Sequence, residues 1–329
     1  MLRKQRILTG DRTTGRLHLG HYVGSLQNRT VLQTKYETFI LLADIQALTT
    51  HFEHPELISE NILQVAIDNL SVGLDPEIVT FIQQSQIAAI AELTVILSMF
   101  VPVNRLGDNP TIKTEAKQYG YNHLNYGFLG YPISQTADLL FCEADLVPVG
   151  DDQLPHMEET SRIVKRFNQL YGEIFCVPKA LLSNCPRLIG LDGNSKMGKS
   201  LGNAIYLSDS KAEVDKKVKS ALTDATRIHA TDIGHPEKCV VYKYQLIFQP
   251  AESENIKEMC MKGCIGCVAC KNYLIKVLND LLEPIRERRA YYESNIGKVK
   301  DIIIAGSEKA NIIGNENLFK VKNAMHLLL

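Results

Sequence analysis

Long hydrophobic runs are missing from this sequence. Its most apolar stretch, IAAIAELTVILSMF, is interrupted by Glu92 and is too short to span a bilayer. The N-terminal residues MLRKQRILTGDRTTG lack the apolar run of a secretion signal. Together these absences predict a cytoplasmic protein with no membrane anchor. A charge excess is missing too. Lys+Arg 36 against Asp+Glu 37 leaves a net charge of −1, which argues against a surface coated for nucleic acid. Residues 201–329 nevertheless carry +3 against −4 for the first 200, which permits a polyanionic partner for the last third. There are no repeats and no low-complexity tracts, and 45% hydrophobic with 22% charged residues is ordinary for a globular chain. Its 329 residues suffice for two domains, each with its own core. Tryptophan is absent, and cysteine is sparse at eight, yet four cysteines crowd into CMKGCIGCVAC at 260–270. In a reducing compartment such a cluster reads as metal ligands ahead of disulfides.

In the first 200 residues short β-branched runs alternate with helical periodicity, which predicts an α/β domain with a parallel sheet. RILTG (6–10), TFILLAD (38–44), IVTFIQQ (78–84) and LVPVG (146–150) are the expected strands. PELISENILQVAIDNLSVG opens on Pro55 and closes on Gly73, as a helix does. After about residue 203 only helical spacing remains, in KAEVDKKVKSAL, KNYLIKVLNDLLEPIRERRAYYE and EKANIIGNENLFKVKNAM. A catalytic domain at 1–202 and an all-helical domain at 203–329 are therefore expected. The loop TDATRIHATDIGHPEKC (223–239) leads into the cysteines.

Two segments carry chemistry. TGRLHLGHYVGSL follows the first strand and opens a helix, so backbone N–H groups and the positive helix end face any anion docked there. His18 and His21 are placed to donate to a phosphate as its charge redistributes, and Gly20 removes a Cβ from beside a flat base. In isolation the same pattern also describes two surface histidines beside a helix cap. DGNSKMGKS (192–200) sets Lys196 and Lys199 three apart in a flexible segment, where ammonium groups can follow a leaving pyrophosphate. Alone it also describes a solvated basic loop.

Occurring together in this order, HLGH (18–21) and KMGKS (196–200) resemble the HIGH and KMSKS signatures of class I aminoacyl-tRNA synthetases. The intervening YPISQTADLLFCEADLVPVGDDQLPHMEETSRIVKRFN resembles the amino-acid-recognition region of the bacterial tryptophanyl-tRNA synthetase family. The resemblance implies a Rossmann-like catalytic domain followed by a helical domain that binds the tRNA anticodon. It implies ATP and Mg²⁺, L-tryptophan and tRNA(Trp) as substrates and partners, a homodimer, and no membrane. His18, His21, Lys196 and Lys199 are its expected catalytic residues. It puts Leu8 and Gly10 around the amino acid, and Gly10, Arg12, Thr14, Gly20, Gly150, Asp152, Gly190, Asp192, Met197 and Ser200 on the nucleotide side. A pocket for an indole needs an acceptor for the ring N–H and an apolar wall. Asp138 supplies the acceptor, and Val147 and Val149, two apart on a strand, share one face. Gln153 suits the substrate ammonium or carboxylate. Gln46 stands where many relatives carry histidine, Gln135 where some carry methionine, and Gly198 replaces the first serine of KMSKS. The absence of tryptophan from the chain agrees with an enzyme that handles it.

Some members of that family hold a [4Fe-4S] cluster on C-x22-C-x6-C-x2-C. Cys239, Cys260, Cys267 and Cys270 give C-x20-C-x6-C-x2-C and are the expected ligands, with Cys264 an extra candidate and zinc or free thiols the alternatives. Cys142, Cys176 and Cys185 are expected as small buried hydrophobes. Three rival functions remain: a tyrosyl-tRNA synthetase, a small nucleotidylyltransferase that also uses HxGH, and a synthetase paralogue that binds RNA without charging it.

Overall fold

The computed structural model describes residues 3–182, 188–193, 197–199 and 201–329. Five parallel strands, β1 (Arg6–Arg12), β2 (Glu37–Ala43), β3 (Val79–Gln83), β4 (Leu146–Val149) and β5 (Lys179–Leu182), form one sheet in the order β3-β2-β1-β4-β5. The order runs outward in both directions from β1. The ladder between β1 and β4 is a single pair, Ile7 with Leu146, whereas β1 and β2 pair along seven residues. Ligands of open α/β sheets bind at such a reversal of strand order, outside the carboxyl ends of the strands.

All four expected strands are present, with shifted ends. Asp44 belongs to the helix Asp44–His51, because its carboxylate is engaged by the Ser85 N–H at 2.9 Å and the Gln83 amide at 2.8 Å. Gln84 turns out of β3 into the short 3-10 helix Gln84–Gln86. The fifth strand, KALL, escapes a sequence reading because it has no β-branched residue. Helix Pro55–Ser71 matches its expected span closely, with Pro55 in its first turn.

The C-terminal helices are Lys211–Ser220, Val240–Phe248, Pro250–Met261, Cys267–Ser294 and Ile296–Ala324. They share cores with the sheet: Ile303 packs in one cluster with Leu17 and Ile40, and Leu318 in another with Leu8 and Phe39. The terminal helix covers the open edge of β3, the place where an unpaired strand would invite foreign pairing. Ser307 Oγ accepts the Gln83 N–H at 3.0 Å, and Lys309 Nζ donates to Thr80 Oγ1 at 3.2 Å. Gly306 makes the approach possible. A Cβ there would stand 1.9 Å from the Phe81 carbonyl oxygen, closer than any side chain can be placed. Among the described residues no helix is long and apolar enough to cross a membrane. Cys142 is buried as expected, Cys176 is exposed against expectation, and Cys185 lies outside the described residues.

Candidate active site

A cleft of roughly 1200 Å³ opens at the C-terminal ends of β1, β2 and β4. Single small-molecule sites occupy about 300–1000 Å³, so the cleft has room for two substrates side by side. Of the residues expected from sequence, Leu8, Gly10, Arg12, Thr14, His18, His21, Gln46, Gln135, Asp138, Val147, Val149, Gly150, Gln153, Met197 and Lys199 line it. Gly20, Asp152, Gly190 and Asp192 do not reach its wall. Lys196 and Ser200 lie outside the described residues.

The two histidines are built into the turn that follows β1. His18 is the N-cap of the short helix Leu19–His21, and its Nδ1 accepts the Gly20 N–H at 3.1 Å, while His21 Nδ1 accepts the His18 N–H at 3.2 Å. An imidazole that accepts at Nδ1 carries its proton, when neutral, on Nε2, and so presents a donor there. The two rings sit 3.9 Å apart. Gly20 is required here for a reason the sequence does not show: a Cβ would come within 2.9 Å of the His18 ring.

Lys199 reaches the same turn from the other signature. Its Nζ donates to the Gly15 carbonyl at 2.6 Å. Burial lowers its pKa from the ordinary lysine value to about 8, with Asp11 and Asp68 opposing the fall. The buried Met197 packs 3.6 Å from the position a Gly20 Cβ would take, and the Gly198 N–H is held by Asn203 Oδ1 at 3.0 Å.

On the opposite side of the cleft the buried Asp138 projects from helix Tyr126–Leu140, beside Val147 and Val149 of β4. Burial raises its carboxyl to about 8. A hydrogen bond from Gln84 works against the rise, and the charge of Asp44 adds to it. Gln135 Nε2 reaches Gln153 Oε1 at 3.5 Å across the pocket wall.

Several participants escaped the sequence reading. Arg29, 2% exposed, ties Asp11 at 2.6 Å to Asn69 at 2.9 Å, directly beneath Gly10. Burial disfavours charge on Asp11, yet the Arg29 guanidinium holds its carboxyl at about 2. Asp68 accepts the Leu17 N–H at 2.7 Å and pairs with Arg289 of the helix Cys267–Ser294, which ties the HLGH turn to the C-terminal helices. Tyr131 meets His156 at 3.1 Å, and burial pushes that imidazole down to about 4 and keeps it neutral. The available signal was position: polar residues at the carboxyl ends of parallel strands, such as Asp11 and QQSQ at 83–86.

The cysteines behave differently. Cys239, Cys260, Cys267 and Cys270 line one small pocket, whereas Cys264 is exposed, with its Sγ 3.7 Å from the Lys262 carbonyl. Burial first, and then the neighbouring thiols, push Cys270 up to about 12. Arg227 Nη1 approaches Cys260 Sγ at 3.8 Å and Cys267 Sγ at 4.0 Å, setting a cation beside the thiols. Among the described residues no group of three or more His, Cys, Asp or Glu is arranged to hold a metal ion, so the metal centre expected from the spacing is not shown.

Residues 2–283 match the family described as tRNA synthetases class I (W and Y). The tryptophan–tRNA ligase of Streptococcus mutans is 49% identical, over 98% of this chain and 98% of its own. That of Streptococcus pneumoniae serotype 4 is 45% identical, with the same coverage. The crystal structure of tryptophanyl-tRNA synthetase from Campylobacter jejuni, complexed with ADP and tryptophan, superposes with a TM-score of 0.87 at 29% identity, covering 98% of this chain and 100% of that one.

Proposed function

The chain belongs to the class I tRNA synthetases of the tryptophan and tyrosine type, and from that premise we propose that it works as a tryptophan–tRNA ligase. ATP enters as its Mg²⁺ salt, the tryptophan carboxylate attacks the α-phosphorus in line, and pyrophosphate leaves. The acyl group of tryptophanyl-AMP then passes to the terminal adenosine of tRNA(Trp). No covalent nucleophile is required of the protein, whose task is positioning and charge stabilisation. The single observation that carries this reading is the convergence of HLGH, Lys199 and Asp138 on one cleft.

His18 and His21, each donating from Nε2, face the phosphates, and Lys199 with Lys196 follows the departing pyrophosphate. Gly10, Arg12, Thr14, Gly150 and Met197 line the proposed nucleotide side, with Gly20, Asp152, Gly190 and Asp192 as proposed supports behind the wall and Ser200 as a further proposed contact. Asp138 accepts the indole N–H; Leu8, Gln46, Gln135, Val147 and Val149 surround the ring; Gln153 takes the ammonium or carboxylate. A carboxylate accepts a phenol O–H as well as a ring N–H, so the preference for tryptophan over tyrosine is supported by the 49% and 45% identity to tryptophan–tRNA ligases. Charging of tRNA(Trp) with labelled tryptophan tests the assignment. Adenylate formation without transfer would point to a paralogue that does not charge tRNA.

Residues 203–329 are the proposed anticodon-binding part, in keeping with their net +3. A homodimer is supported by apolar side chains left exposed on neighbouring elements, Met99 at 73%, Val103 at 66% and Tyr126 at 77%. The proposed location is the cytoplasm.

For the cysteines the reading is a [4Fe-4S] cluster on Cys239, Cys260, Cys267 and Cys270, supported by the shared pocket and by the exclusion of Cys264 from it. Such a cluster would brace the helical part, since ligation free energy adds to folding free energy. Anaerobically purified protein is expected to be brown, with about four iron and four sulfide per chain. Cys264→Ser should keep the colour, and a serine at any of the other four should lose it. Colourless anaerobic protein, or protein with one zinc per chain, contradicts the cluster.

A further inference from the structure

Asp138 does not stand alone in the cleft wall. Behind it lies Gln84, 1% exposed, in the short turn that leaves β3. Its Oε1 accepts the backbone N–H of Gln46 at 3.0 Å, which fixes the orientation of the amide. The Nε2 must then face Asp138, and it lies 2.8 Å from Oδ1 and 3.0 Å from Oδ2. The turn itself is clamped from both sides. Asp44 takes the Ser85 N–H at 2.9 Å and the Ser85 hydroxyl at 2.5 Å, while Asn311 of the terminal helix donates to the Gln86 carbonyl at 2.6 Å.

We propose that Gln84 is a specificity-determining positioning residue for amino-acid selection: its locked amide holds both oxygens of Asp138, leaving the outward lone pairs aimed at the ring N–H of the substrate. The proposal rests on the reading of Asp138 as the acceptor of that N–H. A buried carboxylate with no donor takes up a proton, and a protonated carboxyl is a poorer acceptor. Gln84 opposes that outcome, whereas burial and the charge of Asp44 promote it. The other titratable groups nearby do not compensate. Cys142, one turn further on, has its thiol pushed up to about 12 by burial, and His156 of the helix Leu154–Tyr171 stays neutral.

The test compares kcat/KM in ATP–pyrophosphate exchange for tryptophan with that for β-(3-benzothienyl)alanine, in which sulfur replaces the ring N–H. With the hydrogen bond to the Asp138 carboxylate lost, Gln84→Met should cut the preference for tryptophan by about 10-fold or more at pH 7. The analogue should be used as well as before. Because burial already holds the Asp138 carboxyl at about 8, the wild-type preference should itself rise as the pH passes through that value, and losing the Gln84 donor should move this rise to higher pH. If Gln84→Met fails to fold by thermal unfolding, Gln84→Glu keeps the acceptor for Gln46, sets a second carboxyl against Asp138, and should lose the preference too. An unchanged preference in the Gln84 variants, with loss in Asp138→Asn, overturns the proposal and leaves the Asp138 reading standing. An unchanged preference in all of them overturns both. Equal losses for tryptophan and the analogue reduce Gln84 to a structural role and also overturn the proposal.

Discussion

Lys199→Ala is expected to slow adenylate formation by about 10²- to 10³-fold, the cost of deleting one preorganised charge donor, while tryptophan binding stays nearly unchanged. An ammonium that meets the pyrophosphate only as it departs acts in the transition state and contributes little to ground-state binding. The structure gives the side chain a resting place, the Gly15 carbonyl at 2.6 Å, on the same turn that carries His18 and His21. Moving from that carbonyl to a phosphate exchanges a neutral acceptor for a charged one. Burial brings its pKa down to about 8, so the charged form required for catalysis prevails below that value and is lost as the pH rises through it. Single-turnover rates across this range should fall on the alkaline side in the wild type. The residual activity of Lys199→Ala should lack that limb, and an unchanged single-turnover rate at pH 7 would remove Lys199 from the machinery.

Asp138→Asn should lower kcat/KM for tryptophan by on the order of a hundredfold or more, since a site built around one hydrogen bond discriminates by several kcal/mol. Gln84 makes the substitution more damaging than its isosteric shape suggests. The Gln84 amide, fixed by the Gln46 N–H, presents donors to residue 138. The one oxygen of an asparagine then has to serve both Gln84 and the ring N–H. Turning its NH₂ toward either places donor against donor. ATP use measured at saturating tryptophan should change far less; equal losses for both substrates would take Asp138 out of the pocket.

Much of this was legible in the sequence because the signals are local. β-branched runs marked β1 to β4, and Pro55 marked the start of its helix. The signature segments were legible by resemblance, and most of their residues do line the cleft. What escaped depends on contacts distant in sequence. Gln84 looks like the end of a strand until Asp138, 54 positions later, is folded beside it. Asp68 reads as an ordinary helix residue, yet it holds Leu17 and Arg289 at once. Gly306 looks like a weak point in a helix, but it is where the terminal helix seats on β3. The cysteine spacing brought four thiols to one pocket without showing a metal centre there, because spacing along the chain fixes neighbours and not coordination geometry.

The most direct measurement is amino-acid-dependent ATP–pyrophosphate exchange with each of the twenty amino acids in turn. Exchange with tryptophan alone is the expected result. Exchange driven by tyrosine, or by none of the twenty, would contradict the assignment of this cleft to tryptophan activation.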